Sequence, residues 1–294
     1  LIRSLIFLIE RRPAMSSPPV HRAARRRAGS VLGLLACLAL CAVLPACKST
    51  TTIDGVQVNT NTALPGATEA DAKKRAAVRL QLASNYYQSG QLQIAIDTAN
   101  AAVALDPTSA LAFGLLGLMF MDAGQPVKAE ESFQRALALD RDNPDLLNNY
   151  GWFLCQTGKE RDSIAYFDRA AANPLYRTPV RSYQNAGICL MRIQEDASAE
   201  KYLLRAMTTD ATSPVAKYQL AQLYLRQRRF DRCDFYFDLL TKTVEANAET
   251  LWLGARIAHA KRDDAAERTY TEQLQLRFPT SPQADAMHRG RYDE

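Results

Sequence analysis

Residues that carry chemistry are scarce in this chain. Among 294 residues there are three histidines, His21, His259 and His288, and they lie far apart in sequence. No cluster has metal-ligand spacing, and no glycine-rich phosphate loop or nucleophile elbow is present. The sequence therefore names no catalytic residue, no cofactor and no metal, and the chain is read as a non-enzyme. An apolar stretch long enough to cross a bilayer is also missing, because the run Val31 to Leu44 falls short of the ~20 residues required. A basic surface is lacking too, despite a formal charge of +5. Seven of the 36 basic residues and one of the 31 acids fall in residues 1–46, which leaves 29 against 30 in the remainder. A near-neutral body does not track a phosphate backbone, so nucleic acid is excluded as a partner.

What is present is periodicity. Small residues return in one register as Ala83, Gly90, Ala95 and Ala102, then Gly117, Gly124, Ala129 and Ala136, then Gly151, Gly158, Ser163 and Ala170, each set 34 residues after the last. A small residue midway along one helix lets a second helix approach, a glycine ends the first helix, and alanines on the second accept its ridges. Leu82 and Tyr86, Leu116 and Phe120, and Tyr150 and Leu154 supply the knobs, with Phe133 and Phe167 on the second helices. Such hairpins bury their apolar faces only by stacking on one another.

The pattern resembles the tetratricopeptide repeat. It predicts an all-α, right-handed superhelical solenoid of about six helix pairs over 71–278, followed by a tail over 279–294. In the first repeat the helices are expected from near Asp71–Arg75 to Ser89 and from Leu92 to Leu105. The second repeat places them over Ala112–Ala123 and Val127–Leu139, with Pro126 just inside the start of its second helix. After Ala170 the register slips by two residues within Asn173–Pro179, which lengthens the loop before repeat four. Repeat four carries Gly187, Leu190, Ala199, Leu203 and Ala206, and repeat five Ala221, Tyr224, Cys233 and Phe237. A degraded sixth unit has Ala255, Ala266 and Tyr270, and its turn, Lys261–Asp264, lacks glycine and reads as one residue short. Gly290-Arg291-Tyr292 is expected to dock against it.

In arrays of this kind the first helices line the concave surface. Carried onto this chain, that rule gives an inner wall of Leu80 and Tyr87; Leu118 and Met121; Asn148, Trp152 and Cys155; Gln184, Ile188, Met191 and Arg192; and Tyr218, Leu225 and Arg226. Leu80, Tyr87, Leu118, Met121, Asn148, Trp152, Ile188, Met191 and Tyr218 form the candidate partner groove, since a contiguous apolar band marks a recognition surface. The competing reading of each residue is packing between adjacent helices. A carboxylate clamp is excluded, because the two positions that would carry its lysine and asparagine are Leu80 and Ser84.

The front of the chain reads as a processing signal. Met15 is taken as the start, the basic patch Arg22–Arg27 precedes the apolar run, and the run ends in Leu44-Pro45-Ala46-Cys47. That ending resembles the bacterial lipobox, with a proline that departs from its pattern. The resemblance implies removal of residues 1–46 and lipidation at Cys47, while Lys48–Glu69, rich in Thr, Asn, Gly and small residues and without a helical period, gives a flexible tether over 47–70. Lys48 stands where related lipoproteins carry an inner-membrane retention aspartate, which implies the periplasmic face of the outer membrane. In that oxidising compartment Cys155, Cys189 and Cys233 form an odd set. Cys233 sits at a small-residue packing position and reads as a buried thiol, so Cys155 with Cys189 is the candidate bond, decided by labelling with and without reductant.

The ensemble resembles the type IV pilus biogenesis lipoproteins of the PilF/PilW family, on the lipobox, the six repeats and the segment Asn148-Asn149-Tyr150-Gly151-Trp152-Phe153-Leu154-Cys155. Phe278-Pro279, a Ser-Pro and Gly290 are similar to that family's ending. The resemblance implies a pilotin, monomeric before it meets its partner, that binds the type IV pilus secretin and holds it at the outer membrane. The alternative is a periplasmic scaffold for outer-membrane barrel assembly or for regulating peptidoglycan enzymes.

Overall fold

The structure is a computed structural model and describes residues 52–53, 56–57 and 68–292. The signal segment and Cys47 lie outside the described residues. The chain divides into two units, residues 1–69 and 70–294. In the first, β1 (Thr52–Ile53) and β2 (Val56–Gln57) pair antiparallel, Thr52 opposite Gln57 and Ile53 opposite Val56. Thr52, Ile53 and Val56 are β-branched, which favours extended backbone.

The remainder of the described chain is helical: α1 (Glu69–Gln88), α2 (Leu92–Leu105), α3 (Ala110–Asp122), α4 (Pro126–Leu139), α5 (Pro144–Gln156), α6 (Glu160–Ala172), α7 (Pro179–Arg192), α8 (Asp196–Thr209), α9 (Pro214–Arg226), α10 (Phe230–Thr241), α11 (Ala248–Lys261), α12 (Asp264–Arg277) and α13 (Pro282–His288). Each odd helix through α11 pairs with the next, giving six stacked hairpins. Most first helices start at a side-chain cap. Ser109, Asn143, Ser213 and Asn247 accept from the first-turn N–H groups of α3, α5, α9 and α11, and satisfy donors that would otherwise be orphaned. At α7 the cap position in register is Pro179, and Thr178 makes no side-chain cap bond.

The small-residue positions do what their spacing implies. A Cβ added at Gly117 or Gly151 would come within 2.7 Å of Phe133 or 2.9 Å of Phe167, so the two helices of each hairpin touch where the side chain is missing. Phe133 then joins Tyr150 and Phe153 at centroid distances of 6.0 and 5.6 Å, a tilted aromatic cluster that ties repeat two to repeat three.

Turn geometry is constant through all six hairpins. Gly90, Gly124 and Gly158 have φ of 77°, 67° and 83°, and the same place is held by Gln194, Arg228 and Arg262 at 60°, 56° and 60°. The expectation of a short sixth turn is corrected. Asp263 N–H donates to Ala258 C=O at 2.9 Å, as Arg229 does to Tyr224 one repeat earlier. The small position of that repeat is filled by Glu267, whose N–H donates to Asp263 C=O. Ala266, one residue earlier, had disguised the register.

The two-residue insertion before repeat four also does more than lengthen a loop. It places Tyr176, 6% exposed, against Leu147 and Ala170. Asn173 donates to the Asp142 carbonyl at 2.9 Å and accepts from Leu175 N–H at 2.9 Å, which fixes the turn. Beyond α12, α13 packs on α11 and α12 through fully buried Ala284, so the tail forms a cap over the last hairpin.

Candidate functional site: the wall of first helices

The register that builds the hairpins brings one face of α1, α3, α5, α7, α9 and α11 into a row. Leu80, Tyr87, Leu118, Met121, Trp152, Ile188, Met191 and Tyr218 are all partly buried. Leu118 and Met121 lean on the Phe133–Tyr150 cluster, Trp152 on Cys155 and Cys189, and Met191 and Tyr218 on the core of repeats four and five. Tyr87, Leu118, Met121, Trp152, Met191 and Tyr218 thus spend one flank on core packing and keep the other at the surface, the combination needed for a rigid apolar contact.

Asn148 does not belong to this surface. It is fully buried, and its Oδ1 accepts from Ser182 Oγ at 3.0 Å and from Asn185 Nδ2 at 3.1 Å. Its role is to satisfy a buried polar junction between α5 and α7. Cys155 is equally buried and is bonded to Cys189, a second junction between the same helices. Cys233 is a buried free thiol whose Sγ donates to the Ala221 carbonyl at 3.3 Å, and burial pushes its pKa up to about 12. Such a thiol is inert near neutrality.

Polar groups punctuate the wall at both ends. The Tyr87 hydroxyl donates to the Asp122 carboxylate between repeats one and two. Burial, aided by the hydrogen bond to Asp122, raises the Tyr87 hydroxyl above the ordinary phenol range, and burial also raises Asp122. Gln184 donates to Ser213, and Arg226 bonds both the Met191 carbonyl, at 3.0 Å, and Asp196. Burial and the charge of Glu249 push Tyr218 up to about 12, with Arg256 opposing them. In the middle, the Trp152 indole N–H is buried without a hydrogen-bond partner.

Two hollows of about 350 and 330 Å³ lie elsewhere, against the second helices α6 and α8, and share Lys201 and Tyr202. The sequence had not indicated them. Tyr202 donates to the Asp168 carboxylate across the two repeats at 2.9 Å, and Arg205 stands over the Tyr183 ring at 4.5 Å. Among the described residues no group of three or more His, Cys, Asp or Glu side chains is placed to hold a metal ion.

Profiles of the tetratricopeptide repeat match residues 80–144 and 120–173. The solved structure of PilW, described as a widely conserved type IV pilus biogenesis factor, is 33% identical with a TM-score of 0.68, and the match covers 72% of this chain and 97% of PilW. The chain belongs to the PilF/PilW family. A second member, the type IV pilus assembly protein PilF of Pseudomonas aeruginosa, is 29% identical over 202 residues, 69% of this chain and 80% of PilF. The solved Pseudomonas aeruginosa PilF structure has a TM-score of 0.64 and 26% identity, over 76% of this chain and 99% of PilF. Both matches extend well beyond the span of the two repeat profiles, so family membership rests on more than the shared hairpin motif.

Proposed function

We propose that this protein is a non-catalytic assembly factor for the type IV pilus, a pilotin that holds a segment of the pilus secretin against its wall of first helices. The observation that carries the reading is the match to PilW over nearly all of that structure. The partly buried apolar row supports the mode of binding. Leu80, Tyr87, Leu118, Met121 and Trp152 form its first part, and Ile188, Met191 and Tyr218 continue it. Because the wall is assembled from rigid helices, it offers hydrophobic anchors with little ordering cost. Lipid on Cys47 holds the complex at the periplasmic face of the outer membrane.

The test is the ratio of heat-resistant secretin multimer to monomer in outer-membrane fractions. Deletion of the gene should collapse multimer to monomer, and Cys47→Ala should strand multimer in the inner membrane. An unchanged ratio in both strains refutes the reading. Leu118→Glu and Trp152→Glu should abolish secretin co-purification with folding intact, and retained co-purification would move the site off this wall.

A further inference from the structure

The face that forms the wall continues onto α11, and there it is already occupied. One repeat beyond Tyr218, Gln222 and Leu225, the register positions are Trp252, Arg256 and His259. All three are engaged by the segment that follows α13. Tyr292 lies with its ring 4.9 Å from Trp252 and stacked 4.0 Å from His259, and Arg256 Nε donates to the Tyr292 carbonyl at 2.8 Å. Glu267 accepts from His259 Nδ1 at 3.0 Å, which fixes the ring on which Tyr292 stacks. Gly290, at φ 66°, turns the chain out of α13 and aims it across this face.

This is the chemistry by which a helical-repeat wall holds a peptide: an aromatic side chain seated between rings, and a wall residue bonding the main chain beside it. The seat is continuous with the candidate groove, since α9 packs on α11 and Trp252 and Arg256 stand one 34-residue step beyond Tyr218 and Gln222. A segment running along Tyr218 would meet Arg256 next.

We propose that the face of the last repeat is the final subsite of the partner groove, specific for an aromatic side chain on a non-helical segment whose carbonyl accepts from Arg256, and that residues 290–292 hold it until a partner segment displaces them. The inference rests on the groove reading above for the identity of the partner, but the subsite has its own test. A labelled peptide with the sequence of residues 287–294 is titrated by fluorescence anisotropy against the unaltered chain, Tyr292→Ala and a chain ending at Gly290. Saturable binding to the two opened proteins and none to the unaltered chain is expected, and adding Arg256→Leu to Tyr292→Ala should remove it. No binding to either opened protein overturns the subsite.

The second arm measures the periplasmic region of a pilus secretin against the same proteins, after thermal melts show both variants folded. A subsite free about a tenth of the time weakens apparent affinity about tenfold, so opening it should tighten binding by that factor. Secretin bound equally well or more weakly by both opened proteins would make the segment a plain cap and overturn displacement. If the secretin binds none of the proteins, the groove reading falls while the peptide arm still decides the subsite.

Discussion

A single backbone position separates the two halves of the array. Gly90, Gly124 and Gly158 take the left-handed turn freely, whereas Gln194, Arg228 and Arg262 take it with a Cβ at φ of 60°, 56° and 60°. That conformation costs an L-residue roughly 1–2 kcal/mol, and glycine relieves it at some cost in unfolded-chain entropy. Gln194→Gly should stabilise the protein by about 0.5–1 kcal/mol, visible as a rise of ~2 °C in melting temperature. A lower melting temperature would mean that the Gln194 side chain contributes more than its backbone costs. Asn148 shows the opposite dependence on context. The repeat rule placed it on the wall because the rule gives a direction and not a depth. What it lacked was the pair Ser182 and Asn185, polar residues at α7 positions that close over Asn148. Asn148→Ala should leave both donors unsatisfied and cost about 2 kcal/mol in chemical denaturation. A loss below ~0.5 kcal/mol would show that water replaces it.

At the scale of elements, most helices were legible because their ends are chemically marked. The expected spans Leu92–Leu105 and Val127–Leu139 agree with α2 and α4 to within a residue, since proline or glycine bounds them. The insertion before α7 was legible only as a length. Its effect depends on Tyr176 finding Leu147 and Ala170, a tertiary contact that no periodicity encodes. The same junction is closed by the Cys155–Cys189 bond, which spans a sequence separation of 34. Cross-linking such a loop restricts the unfolded chain by ~3–4 kcal/mol. Reductant or Cys155→Ala with Cys189→Ala should therefore lower the melting temperature by several degrees, and labelling of denatured protein should rise by two thiols on reduction. Equal labelling in both conditions would refute the bond.

Two inter-repeat turns share a further device. Asp106 accepts from the hydroxyl and N–H of Thr108 at 2.6 and 3.1 Å, and Asp210 from those of Thr212 at 2.6 and 2.9 Å. The threonine hydroxyls, more than any other cause, hold both carboxyls below their usual range. A depressed folded value means that the stabilisation is complete above the unfolded value near pH 3.9 and is lost as pH falls through the folded one. Asp106→Asn with Asp210→Asn should flatten the melting curve below about pH 4 and leave its shape above pH 5 unchanged. A steeper acid limb in the variant would contradict this.

For the molecule as a whole, nearest-neighbour stacking implies that stability is not uniform along the array. Repeat one has no preceding hairpin among the helices, and the consequence is visible in matched residues. Val78 and Leu82 are 69% and 43% exposed, while Ala112 and Leu116, one repeat on, are 1% and 4% exposed. Along its 20 residues α1 buries only Ala76 and Ala83, whereas α5 buries eight of 13. The sixth hairpin would be equally bare, since α12 buries only Leu274, but α13 and Tyr292 cover α11, which buries eight of 14. Local opening follows the least buried surface, so native-state hydrogen exchange should be fastest in α1 and α2 and slowest from α5 through α9. Protection of α11 should depend on the segment after α13, and Tyr292→Ala should accelerate exchange there while leaving α5 unchanged. Uniform protection along all six hairpins would mean that the array unfolds as one cooperative block. In that case repeat one could not yield locally to a partner, and a segment docking in the proposed groove at Leu80 and Tyr87 would have to use the wall as it stands.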